Sequence, residues 1–144
     1  MKKILMLFIA VSLVYSCKST KDANASTNTA EKSIEKKIQQ SWVLENLNGK
    51  PVTEKDFSSL PKIEMKASTF SGSTGCNAIK GNLFSKDAGQ IQFLNFTSET
   101  KKCEAKKEGE FVQLLKTTSG YSIENNKLLL SNQFGPTMLF KKGK

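Results

Sequence analysis

The sequence predicts an antiparallel α+β domain, on three observations. Short apolar–polar alternations recur from Ser41 onward, turn signals separate them, and one amphipathic helix interrupts them. Ser41-Trp42-Val43-Leu44-Glu45-Asn46-Leu47 is the expected first strand, and Asn48-Gly49 supplies a turn. In Lys62–Ala67, Ile63, Met65 and Ala67 alternate with Lys62, Glu64 and Lys66, which puts the first set in the core and the second in water. Thr69–Ser71 continues the sheet, and Gly72 and Gly75 mark bends. Further strands are expected at Asn77–Phe84, Gln90–Phe96, Tyr121–Ile123, Lys127–Ser131 and Thr137–Lys141, with a hairpin turn at Glu124-Asn125-Asn126. The helix is expected from about Lys106 to Thr118, where Phe111, Leu114 and Leu115 form an apolar stripe. A short, frayed helix is expected within Glu31–Gln40, where Ile34 and Ile38 share a face. No internal repeat is visible.

The N-terminal segment reads as a targeting device. Met1-Lys2-Lys3 is a basic start, and Ile4–Tyr15 is uncharged and apolar. That stretch is shorter than the roughly 20 residues that span a bilayer, so a signal peptide is expected rather than a transmembrane anchor. Leu13-Val14-Tyr15-Ser16-Cys17 resembles the lipobox of bacterial lipoproteins, although Tyr15 is bulkier than the usual occupant. The resemblance implies that Cys17 receives a diacylglycerol and that cleavage follows Ser16. Each buried methylene would then contribute about 0.8 kcal/mol to membrane anchoring. Cleavage removes Lys2 and Lys3, which takes the net charge from +9 to +7. Residues 18–32 (KSTKDANASTNTAEK) contain no large apolar side chain and cannot offset their ordering entropy, so they read as a leash. The expected organisation is a signal peptide at 1–16, the lipidated Cys17 and a flexible linker at 17–40, and one domain at 41–144.

Composition excludes several chemistries. All 22 basic residues are Lys, and there is no His. Without His, a Ser–His–Asp or Cys–His nucleophilic set and a His-ligated zinc site are both impossible within this chain. Lys without Arg suits a solvated surface, or attraction to anionic lipid or polysaccharide, better than bidentate reading of nucleic acid. No nucleic-acid partner is expected.

Two cysteines remain once Cys17 is acylated, Cys76 and Cys103. In an oxidising envelope compartment the first expectation is a structural disulfide, which on the chain-entropy account contributes roughly 3–4 kcal/mol. Two reduced, buried thiols are the second reading, and a redox or metal role is the third. No CxxC motif occurs, two thiolates alone are an incomplete zinc set, and neither a metal nor a cofactor is expected.

The quoted residues resemble the META domain, the HslJ-like family of small bacterial envelope proteins. Trp42-x-Leu44-x-x-Leu47-Asn48-Gly49 is similar to its opening strand, and Phe70-x-Gly72-x-x-Gly75-Cys76-Asn77-x-x-x-Gly81 to its most specific element. Cys103 followed by Glu108-x-x-Phe111-x-x-x-Leu115 resembles its second Cys and helix. Tyr121-x-Ile123, Leu128-x-Leu130 and Leu139-Phe140 complete the match. One departure precedes Cys103: the family usually has Thr, a basic residue and Met, whereas this chain reads Ser98-Glu99-Thr100-Lys101-Lys102. The resemblance implies a cracked, barrel-like antiparallel sheet with one main helix across its opening, a role in envelope stress, and no established catalysis.

Three functions compete at this level. A monomeric, non-catalytic envelope domain that binds a protein or envelope component leads. It would be lipid-anchored, with the periplasmic face of the outer membrane favoured. A lipid or small-molecule carrier is the alternative, with Phe70, Phe84, Phe93, Phe96, Phe111 and Phe140 lining an interior cavity. An enzyme is the least favoured, and no catalytic residue is assigned. Glu108 and Glu110 point to different sides of a helix, and no nucleophile elbow frames a Ser–Lys dyad.

Overall fold

The alternating stretches pair edge to edge into one antiparallel sheet in the computed structural model of the protein, which describes residues 36–85, 87–103 and 105–144. The elements in chain order are β1 (Ser41–Leu47), β2 (Lys50–Pro51), β3 (Lys62–Met65), β4 (Thr69–Ser73), β5 (Ala78–Phe84), β6 (Gln92–Ser98), α1 (Glu108–Lys116), β7 (Gly120–Glu124), β8 (Lys127–Asn132) and β9 (Gly135–Lys142). Strand order is β6-β5-β4-β3-β1-β9-β8-β7, with β2 paired to β1. The two edge strands nearly meet. Gln90 and Gly120 form an isolated bridge, the Tyr121 N–H donates to Gly89 O (2.8 Å), and the Ile91 N–H donates to Ser119 O (3.3 Å). The sheet is not closed but curls into an open barrel bridged at this one place, which agrees with the expected antiparallel α+β class.

Alternation decides which side chains fill it. Trp42, Leu44, Ile63, Phe111, Leu115, Leu128, Leu130 and Phe140 have no exposed surface. Burying each large apolar side chain contributes about 1.5–3 kcal/mol. The indole N–H of Trp42 donates to Ile38 O (3.0 Å), so the largest core residue leaves no buried donor unmatched. Helix α1 packs beside β6 and turns Phe111 and Leu115 inward, and the Phe111 ring meets Phe57 edge-on at 6.2 Å.

Several expectations shift by a few residues, each for a local reason. The chain turns after Met65 to start β4, so Ala67 is exposed rather than in the core. Leu114 is only half-buried on α1. The two-residue β2 is too short to show any period. Residues 36–38 are helical, and Ile38 is buried in the core, so the packed unit takes in residues ahead of Ser41. Ile34, Cys17 and the signal segment lie outside the described residues.

The barrel has two distinguishable poles. At the entry pole the chain arrives through residues 36–40, the Met65 N–H donates to Gln40 O, and the Gly143 N–H donates to Ser41 O. The β7–β8 hairpin is also there, since the Lys142 N–H donates to Asn126 O. At the far pole lie the Asn48-Gly49 turn, the turn between β4 and β5, and the β8–β9 hairpin.

Candidate functional site

The most specific sequence element, Phe70 to Gly81, spans the far-pole turn between β4 and β5 and carries a polar cluster. Thr74 closes the turn upon itself: its N–H donates to Asn77 O (2.9 Å), and its Oγ1 accepts from the Asn77 N–H (2.9 Å). Gly75 adopts φ +96, and a Cβ there would overlap the Ser59 carbonyl oxygen. Only glycine lets the 53–60 loop lie this close, and Ser59 Oγ returns a hydrogen bond to Gly75 O (3.0 Å). Gly81 has a similar reason. Its missing Cβ would sit 2.6 Å from the Phe70 ring, which instead covers β5 and stacks near Phe93 (4.9 Å).

Asn77 is 5% exposed and uses its whole amide. Oδ1 accepts from the Lys101 N–H (2.8 Å), while Nδ2 donates to Glu108 Oε1 (2.7 Å) and to Lys101 O (3.4 Å). Thr74 Oγ1 also donates to Glu108 Oε1. Glu108 is the first residue of α1, where a carboxylate complements the helix dipole. One buried turn thus binds both the segment before Cys103 and the helix after it. The departure at Ser98–Lys102 keeps this contact, because Asn77 reads the backbone of Lys101 rather than its side chain.

The structure joins Cys76 to Cys103 by a disulfide, with Cα atoms 6.3 Å apart. The two sulfurs and a Glu108 carboxylate oxygen lie within 4.8 Å of one another. While the S–S bond stands, neither sulfur is a thiolate and the trio is not a ligand set. Glu110 serves a different partner, accepting from Asn48 Nδ2 (2.6 Å), so the two glutamates are not paired.

Two carboxylates, the half-buried Asp56 and the exposed Glu99, brace the site. Asp56 is held below the usual carboxylate range, first by the Thr53 N–H (2.9 Å) and then by the Lys107 ammonium (3.1 Å). The Lys107 N–H donates in turn to Asp56 O (3.2 Å), which ties the 53–60 loop to the start of α1. Glu99 is likewise lowered, mainly by the Lys101 ammonium (2.8 Å) and then by the Ala78 N–H (3.5 Å). Sequence reasoning anticipated the Cys76–Cys103 pair. It missed Thr74, Asp56 and the role of Glu108. A signal existed for one of them, since Thr53-x-x-Asp56 has the spacing of a local capping turn.

The six phenylalanines proposed to line a cavity do not share one environment. Phe70, Phe93, Phe111 and Phe140 are core residues. Phe96 is half-buried under Lys116, whose ammonium lies 5.2 Å from the ring, and Phe84 is 50% exposed. A cleft of about 170 Å³ opens beside Ile38, Leu83, Phe84 and Ile91. Of the six phenylalanines, it is lined by Phe84 alone.

The sequence pattern of the META domain matches residues 34–144, and the chain belongs to that family. No curated protein matches it. Among solved structures it is similar to a protein from Burkholderia xenovorans determined by NMR, at 21% identity and a TM-score of 0.61, covering 81% of this chain and 88% of that one. A second NMR structure shares 25% identity at a TM-score of 0.58 over 72% of this chain and 89% of the other. A crystal structure of a duf4847 family protein from Bacteroides vulgatus ATCC 8482 shares 20% identity at a TM-score of 0.58, covering 80% and 98%. The likeness is one of fold.

Proposed function

We propose that this chain is a lipid-anchored envelope protein whose META domain binds a protein or envelope component during stress, without catalysis. Cys17 carries the acyl chains, and the domain hangs on the periplasmic side of the outer membrane. The observation that carries the binding role is Phe134. It is 86% exposed at the tip of the β8–β9 hairpin, on the far pole and away from the chain's point of entry. The Phe134 N–H donates to Asn132 Oδ1 (2.9 Å), so the aromatic stands on a hydrogen-bonded turn. Rigid, exposed aromatics are favoured anchors in protein interfaces. The non-catalytic reading is supported by the use of Thr74, Asn77 and Glu108, which are engaged with one another and with backbone.

A photo-crosslinking residue placed at Phe134 in living cells tests the proposal. A discrete adduct at Phe134 that is absent when the probe replaces Lys80, on the barrel wall, is the expected result. Probes at Phe134 and Gln133 that both return only the uncrosslinked chain, with and without envelope stress, would overturn it.

A further inference from the structure

One outward row of lysines crosses the barrel wall close to where the chain enters. The register of β3, β1, β9 and β8 aligns Lys62, Val43, Lys141 and Lys127 in one row across four strands. All three lysines are exposed, so the row faces outward from the wall. Like charges on neighbouring strands are normally unfavourable, and a fold without a use for them would dilute them. Only Lys127 is neutralised, by Glu45 at 2.8 Å. Among the described residues, no carboxylate pairs with Lys62 or Lys141. Lys36, Lys37 and Lys144 extend the positive surface at the entry pole, and each is exposed. Matched pairs occur at both ends, Lys107 with Asp56 and Lys101 with Glu99 at the far pole and Lys66 with Glu64 near the chain's entry, so it is the alignment of the row and not a difference between the poles that stands out.

The wall beside the lysine row is apolar. Leu129 and Leu139 are cross-strand partners that face outward, half-buried, and with Lys127, Glu124, Ser122 and Asn125 they line a surface depression of about 330 Å³. Exposed cations around outward aliphatic side chains are the chemistry that meets an anionic bilayer, with ammonium groups on phosphates and aliphatic groups at the glycerol level. This face also adjoins the residues that lead back to Cys17.

We propose that the entry-pole face, centred on Lys62, Lys141 and Lys127, docks on anionic phospholipid headgroups of the leaflet in which the chain is anchored. Docking orients the barrel, holding the β8–β9 hairpin and Phe134 away from the membrane. The inference rests on the Cys17 anchor for proximity, but its chemistry is separate from the anchor. Each unpaired lysine near an anionic surface raises partition about fivefold.

Amine acetylation of the full, membrane-purified chain tests it. The chain is placed on vesicles of phosphatidylcholine alone, or of phosphatidylcholine and phosphatidylglycerol in a two-to-one ratio. Lys62, Lys141 and Lys127 are expected to be acetylated several-fold more slowly on the anionic vesicles, and Lys50 at the far pole at the same rate on both. High salt should erase the difference. In K62Q/K141Q, protection of Lys127 should fall towards its value on neutral vesicles. Equal acetylation of the three lysines on both vesicle types overturns the docking face, as does undiminished protection of Lys127 in the double variant. Failure to float with neutral vesicles overturns the anchor alone, and salt-sensitive flotation with anionic vesicles that K62Q/K141Q abolishes would still support the face.

Discussion

Asn77 shows how one side chain can decide the order of a whole pole. Its amide is the common partner of Lys101 and Glu108, which belong to different segments of the chain. Asn77→Ala removes the acceptor of the part-buried Lys101 N–H and one of the donors that satisfy Glu108, at an expected cost of about 1–3 kcal/mol. Urea unfolding measures it, and an unchanged midpoint would show that water replaces the amide without penalty. Asp56 predicts a pH effect of definite sign. Its carboxyl lies below the usual range when folded, so its contribution is complete above the unfolded value of about 3.9 and is lost as pH falls through the folded one. Asp56→Asn should lower stability at neutral pH and leave a smaller loss between neutral and strongly acidic solution, as read from unfolding free energy against pH. The two cysteines were legible because a rare residue type at fixed spacing carries information, and Asn77 stood out only as the neighbour of Cys76 in the family-like motif. Thr74 and Glu108 were not, because Thr and Glu are common on surfaces and only the folded turn reveals that they meet.

At the scale of elements, β3 was readable from a period of two, and β1, β8 and β9 from short apolar runs bounded by turn signals. Their ends moved by one or two residues, because turn hydrogen bonds rather than side-chain polarity set where pairing stops. Helix α1 shows a different dependence. Lys107 at its N-cap makes no side-chain capping bond. The helix is held instead by Phe111 and Leu115 within, by Glu108 on the turn, and by the disulfide at the end of the preceding segment. Replacing both cysteines, as C76S/C103S, should therefore cost about 3–4 kcal/mol by releasing the closed loop. The same loss should appear when the unaltered chain is unfolded with a reductant present. Hydrogen exchange should quicken first in residues 105–116, which the bridge and Glu108 secure, and not in β8 or β9. Uniform quickening across the sheet would mean that the bridge stabilises the barrel as a single unit rather than the helix docking.

At the scale of the molecule, the open barrel was reachable from the sequence only through its family resemblance. The two edges meet through residues 89–91 and 119–121, where no apolar period or motif announces contact, and the polarity of the two poles emerges only from cross-strand register. The same register separates the two proposed roles in space: aromatic exposure at the β8–β9 tip, and the outward lysine row on the barrel wall. If Cys17 supplies the anchor, its loss should uncouple the chain from the membrane and leave the barrel intact, since every buried core residue of the described chain lies at or after Ile38. Cys17→Ser is expected to lack the acyl mass on intact-protein mass spectrometry and to lose the share of membrane association that survives high salt. The unfolding midpoint of residues 36–144 should stay within about 0.5 kcal/mol of the parent. A Cys17→Ser chain that remains in the membrane fraction after salt and carbonate washing would place the anchor elsewhere. The entry-pole lysines would then have to hold the protein to the bilayer unaided, a load that electrostatic docking does not sustain at high ionic strength.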